Sequence, residues 1–190
     1  TIKNKPDILK KLIYLNRISK KIKFVYQEKP KGLGHAVLCA EKYINTKYFI
    51  LILPDDIING KNCVKELIEI NKKNQSSVLA LKQVSRKDVK RYGIAGFSNK
   101  KKFKINKMIE KPSIGKAPSR YAIIGRYLLN KSIFKYLKKQ KSGRLGEIQI
   151  TDAMNAMLFK ESFYGCKFKG KYLDCGTING YIKSFLEINK

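Results

Sequence analysis

The six residues Tyr48-Phe49-Ile50-Leu51-Ile52-Leu53 constrain this chain more than any other stretch. An unbroken apolar run of strand length puts apolar side chains on both faces of the pleat, so both faces must be covered, as in a parallel sheet layered between helices. Other segments repeat the theme. Residues 23–27 and 78–81 are short apolar runs that read as buried strands. Between and around them lie amphipathic patterns: Ile8, Leu9, Leu12, Ile13 and Leu15 behind Pro6 and Asp7, and Val64, Leu67, Ile68 and Ile70 within 62–71. The second half continues with strands expected at 105–110, 119–127, 163–168 and up to Asp174, and helices at 131–139, 149–160 and 178–188. Alternating strands and helices of this kind predict an α/β layer fold.

A chain of 190 residues, 43% of them hydrophobic, can bury one good core, so a single domain over 1–190 is expected and disorder is not. No apolar run approaches the ~20 residues that span a bilayer, so no membrane association is expected. Four cysteines without a C-x-x-C pair read as reduced thiols, which points to a cytoplasmic setting. The net charge of +28 suits weak binding to polyanions. The lysines, however, are spread through nearly every segment and no nucleic-acid-binding module accompanies them, so no specific nucleic-acid partner is expected.

Several short stretches carry chemistry. Gln27-Glu28-Lys29-Pro30-Lys31-Gly32-Leu33-Gly34-His35-Ala36 joins an expected strand to an expected helix. Gly32 and Gly34 let a flat ring approach the main chain, and the Gln27 amide can both donate to and accept from a base edge. Pro54-Asp55-Asp56 puts carboxylates at the end of a central strand, where open α/β sheets bind ligands, although Asp also caps turns readily. Gly93 follows Tyr92 at a strand entry. Glu110-Lys111-Pro112 pairs an acceptor suited to hydroxyls with a cation suited to phosphate. Asp174 precedes Cys175-Gly176 and a helix, again at a strand end. Cys175 has no neighbouring base, so a cysteine nucleophile is not expected. Glu147 and Asp152 read as helix N-terminal acids, and Arg126 as structural.

Taken together, these motifs resemble the bacterial UTP–glucose-1-phosphate uridylyltransferases of the sugar-phosphate nucleotidyltransferase family. The matching segments are Q-x-x-x-x-G-L-G-H-A, L-P-D, Y-G, I-E-K-P, S-x-x-A-I-x-G-R-Y, G-x-x-x-E-I-Q-I-T-D-A and D-C-G, running from about Phe24 to the C-terminus. The resemblance implies a Rossmann-like, mixed and mostly parallel sheet of the nucleotide-diphospho-sugar transferase type. It implies that Gln27 and Gly32 hold uracil, that Gly93, Glu110, Lys111 and Ile123 seat the sugar phosphate, and that Asp55 and Asp174 bind a catalytic Mg²⁺. Asp55, Lys111 and Asp174 would be the catalytic set, with UTP, glucose 1-phosphate and UDP-glucose as ligands and a homo-oligomer as the working form.

The family's opening strand and G-x-G-T-R phosphate loop have no match before Phe24. The expectation is therefore a nucleotidyltransferase domain without its first strand and phosphate loop, inactive alone and with an exposed apolar sheet edge. Other readings are a sister enzyme using another base or sugar, a non-catalytic nucleotide-sugar-binding module, and a nucleic-acid-binding protein.

Overall fold

The structure, a computed structural model, describes residues 5–140 and 146–190. The chain opens with α1 (Pro6–Ser19), which has Pro at its start and Asp7 in its first turn, as the pattern predicts. Residues 22–32 then run without regular structure, and Phe24 and Tyr26 are 81% and 87% exposed. The buried strand expected at 23–27 is therefore absent. A strand needs a neighbour to take up its backbone hydrogen bonds, and among the described residues none lies beside this segment.

Next come α2 (Leu33–Cys39), β1 (Tyr48–Ile52), β2 (Asp56–Asn59), α3 (Cys63–Asn74) and β3 (Ser77–Gln83). The start of α3 is capped by the Asn62 side chain, which accepts from the Lys65 N–H at 3.1 Å, a contact that satisfies one of the free donors at a helix start. The second half supplies β4 (Gly93–Asn99), β5 (Lys104–Glu110), β6 (Tyr121–Asn130), α4 (Ile133–Lys139), α5 (Ile150–Met157), β7 (Phe163–Cys166), β8 (Lys171–Asp174) and α6 (Ile178–Ile188).

Six strands form one sheet in the order β1-β6-β3-β7-β5-β4, and β4 also pairs with β6. β2 and β8 make a separate two-stranded ribbon. The α/β class and the mixed sheet are as expected, but the mostly parallel character is not. Among the described residues only the β3–β7 pairing is parallel; β6 runs antiparallel to β1, β3 and β4, and β5 antiparallel to β4 and β7.

β3 shows how the sheet is covered. Leu79 and Leu81 face a core shared with Phe134, Leu137, Met154 and Phe163, under α2, α4 and α5. Val78 and Ala80 face the opposite layer, where Leu67 of α3 packs with Ile124 and Leu128 of β6. This period of two, apolar on both sides, is what the unbroken runs demanded. β1 lies at the sheet edge with Ile52 52% exposed, and an apolar groove of about 330 Å³ lined by Leu33, Phe49 and Leu51 runs beside it. Among the described residues, no helix is long and apolar enough to cross a membrane.

Candidate active site

A cleft of about 430 Å³ opens where β1 leaves the sheet. Its floor is fixed by backbone contacts that follow directly from the turn at Pro54. The Leu53 N–H donates to the Gly125 carbonyl at 2.9 Å. Arg126 donates back to the carbonyls of Leu53 and Gly125 at 2.9 and 2.7 Å, so this arginine is structural, as expected. The chain then turns into β2, whose antiparallel register with β8 sets Asp56 opposite Asp174. A further bond from the Cys175 N–H to the Asp55 carbonyl, 2.8 Å, ties the two strand ends together.

This ribbon brings Asp55 and Asp174 to one place. Asp55 Oδ2 and Asp174 Oδ1 lie 3.1 and 3.3 Å from the point where a Cβ on Gly176 would stand, so any side chain at 176 would press between the two carboxylates. Asp174 accepts from the Gly176 N–H through Oδ1 at 3.0 Å, and from Arg91 and the Tyr92 hydroxyl through Oδ2 at 3.0 and 3.1 Å. Asp56 faces inward instead. It is buried and accepts from the Gly125 N–H and the Tyr172 hydroxyl. Burial raises its pKa above the ordinary carboxylate value, the nearby Asp55 and Asp174 add to the rise, and the two hydrogen bonds oppose it. Lys82 stands with its ammonium 4.4 Å from the Tyr172 ring centre, and burial pushes its pKa down.

Across the cleft, Gly93 and Glu110 are paired on β4 and β5. Glu110 Oε2 accepts from the Thr151 hydroxyl at 2.7 Å, which sets the direction of the carboxylate. A Cβ on Gly93 would come within 3.1 Å of that same oxygen. Lys111 follows with φ of 41°, a left-handed conformation that non-glycine residues adopt at a cost, held by its N–H donating to the Tyr92 carbonyl at 3.1 Å. Ile123, 5% exposed, forms part of the wall from β6.

Asp55, Gly93, Glu110, Lys111, Ile123 and Asp174 therefore share one cleft. Gln27 and Gly32 are not among its lining residues. They lie beside it, in a turn docked on the segment that leads into α5. The Gly34 N–H donates to the Ile148 carbonyl and the Ile148 N–H to the Lys31 carbonyl, both at 2.8 Å, while Leu33 and Gln149 reach the cleft. Gly32 takes φ of 88°, and a Cβ there would meet Glu147 and the Ile148 carbonyl at 3.0 Å. The Gln27 amide nitrogen sits 3.1 Å from the Gly32 carbonyl and 2.9 Å from His35 Nδ1.

Residues 143–145 of the expected G-x-x-x-E-I-Q motif lie outside the described residues. Beyond them, Glu147 accepts from Gln149 and stays out of the cleft lining, and Asp152 occupies the first turn of α5. Sequence reasoning gave no such role to Arg91, Tyr92, Thr151 or Tyr172, which hold the carboxylates in place. The one available signal was the position of Arg91-Tyr92 immediately before Gly93. A larger depression of about 570 Å³, lined by Arg86, Lys100 and Arg120, lies elsewhere and includes no acidic residue, so the converging carboxylates mark the smaller cleft as the chemical one.

Comparison with known proteins places the chain in a family. Residues 1–190 match the nucleotidyl transferase family. The Staphylococcus saprophyticus protein named UTP–glucose-1-phosphate uridylyltransferase 2 is 38% identical over 188 residues, covering 97% of this chain and 65% of that protein. The crystal structure of a UDP-glucose pyrophosphorylase complexed with UDP-glucose superposes with a TM-score of 0.83 at 36% identity, over 88% of this chain and 65% of that one. A UDP-glucose pyrophosphorylase from Acinetobacter baumannii gives 0.76 at 28% identity, over 98% of this chain and 68% of that one. The chain thus spans about 65% of the length of the curated relatives it matches. With a family match over its whole length, the chain belongs to the nucleotidyl transferase family.

Proposed function

We propose that this chain is the core of a UTP–glucose-1-phosphate uridylyltransferase, which forms UDP-glucose and pyrophosphate. The observation that carries the reading is the meeting of Asp55 and Asp174 in the cleft that also holds Glu110 and Lys111. The names of the relatives and of the superposed structures support the choice of substrates. A phosphate oxygen of glucose 1-phosphate attacks the α-phosphorus of UTP in line. As the new P–O bond forms, the bond to the bridging oxygen breaks and pyrophosphate leaves with the electron pair. Positioning and charge neutralisation are the contributions asked of the protein, and no covalent intermediate is required.

The named residues have distinct tasks in this reading. Lys111 neutralises the sugar phosphate. Glu110 accepts from glucose hydroxyls, its orientation set by Thr151. Gly93 leaves space at the sugar, and the Ile123 backbone borders it while its side chain stays in the core. Gln27 and Gly32 hold the uracil from the adjoining turn.

The donor set suits Mg²⁺, a hard cation that takes one or two carboxylates and completes its shell with phosphate oxygens and water. Asp55 and Asp174 would hold it in the space that Gly176 leaves clear. Among the described residues no group of three or more His, Cys, Asp or Glu side chains could hold a metal ion. When bound, the ion would supply neutralisation of charge on those oxygens. A cytoplasmic setting fits four free cysteines, of which Cys63 and Cys166 are buried with thiol pKa values pushed up to about 12.

The reading is tested by following UDP-glucose formation from UTP and glucose 1-phosphate in the enzyme that carries this chain. Glu110→Gln should raise the KM for glucose 1-phosphate about tenfold, the value of one charged hydrogen bond, and leave the KM for UTP within twofold. Equal losses for both substrates would remove Glu110 from the sugar site.

A further inference from the structure

The turn from Gln27 to His35 contains a hydrogen-bond arrangement with only one consistent assignment of protons. The Gly32 carbonyl oxygen can only accept, so the Gln27 atom 3.1 Å from it must be the amide nitrogen and not the amide oxygen. The same nitrogen lies 2.9 Å from His35 Nδ1. Its first proton goes to Gly32, so its second goes to His35. Nδ1 must then offer a lone pair, and the neutral ring carries its proton on Nε2. The Cys39 thiol, one helical turn along α2 and 3.9 Å from Nδ1, is a second, weaker donor aimed at the same lone pair. Both amide protons of Gln27 are therefore committed within the turn. Its carbonyl oxygen is the one hydrogen-bonding group of the side chain left for a ligand.

From this geometry we infer that His35 is a positioning residue for base selection. Accepting the second Gln27 proton, it locks the amide so that only the carbonyl faces the nucleotide. That favours a base presenting a ring N–H at the centre of its pairing edge, as uracil does at N3. It disfavours cytosine, whose N3 is an acceptor and would meet the Gln27 oxygen lone pair to lone pair. The inference deepens the uridylyltransferase reading and rests on it.

Gly32 and His35 have separable parts in the lock. The first is a backbone group that any side chain at 35 leaves in place; the second is a half-buried side chain whose hydrogen-bond polarity can be changed alone. A glutamine at 35 can still accept from Gln27 through its own amide oxygen. A lysine can only donate and opposes the native orientation of the amide.

The experiment is isothermal titration of the enzyme that carries this chain with UDP-glucose and with CDP-glucose, alongside thermal melts of each variant. The unmodified enzyme should prefer UDP-glucose. In His35→Ala the ratio of the two affinities should fall about tenfold, as expected when one orienting hydrogen bond is lost. His35→Gln should restore most of the preference, and His35→Lys should reduce it at least as far as His35→Ala. If His35→Ala does not fold, the contrast between the Gln and Lys variants carries the test. An unchanged ratio in the Ala or Lys variant, with UDP-glucose still preferred by the unmodified enzyme, would overturn the role of His35 and leave the uridylyltransferase reading standing. An unmodified enzyme that binds both ligands equally, or neither, would overturn the uracil reading and the inference with it.

Discussion

Replacing Asp174 by Asn in the enzyme that carries this chain should lower UDP-glucose formation at least a hundredfold while leaving the urea midpoint almost unchanged. Two independent magnitudes set this expectation. Removing one group that stabilises transition-state charge costs about 10²–10³ in turnover. The structural role of Asp174 is small by comparison. Its contact with Arg91, 3.0 Å long, joins side chains that are 25% and 44% exposed, and an ion pair so open to solvent contributes at most about 1 kcal/mol. The asparagine oxygen can also keep the bond from the Gly176 N–H. Asp55→Asn should behave alike, since the Asp55 bond to Cys175 uses the backbone carbonyl and survives the substitution. A parallel fall in Mn²⁺ binding, read by electron paramagnetic resonance of the bound ion, would separate loss of the metal from loss of substrate. Unchanged turnover in Asp174→Asn would remove this carboxylate from the chemistry.

The two carboxylates were legible in sequence as acids at strand ends, but their meeting was not. It depends on the β2–β8 ribbon, and β2 begins at Asp56, in a stretch that reads locally as a turn. Direction was equally hidden. An apolar run states that both faces are covered and says nothing of which way its neighbour points, so β6 could be placed as a strand but not as the antiparallel one between β1 and β3. Residues 23–27 show the converse limit. Their composition suits a strand, yet a strand exists only with a partner for its ladder. Arg91 went unnoticed because, in a chain of net charge +28, its place beside Tyr92-Gly93 is too weak a signal to set one arginine apart. Only the fold, by bringing it 83 residues along the chain to Asp174, distinguishes it from its neighbours.

Asp56→Ala should destabilise the fold by about 2–4 kcal/mol in urea denaturation at pH 7, far more than either cleft carboxylate. The residue is 9% exposed and its side chain accepts from two donors, the Gly125 N–H of β6 and the Tyr172 hydroxyl of β8. Truncation leaves both donors without a partner, and each buried unsatisfied group costs about 1–3 kcal/mol. The pH dependence gives a second, independent reading. Burial raises the folded-state pKa of Asp56 above 3.8, so the folded protein binds its proton more tightly than the unfolded chain does. The stability it contributes is accordingly greatest below 3.8 and is lost as pH rises through the folded value. Asp56→Asn has no such titration. The stability of the unmodified chain minus that of Asp56→Asn should therefore be larger at pH 3.5 than at pH 7; a flat difference would mean that the buried carboxylate is not held against ionisation.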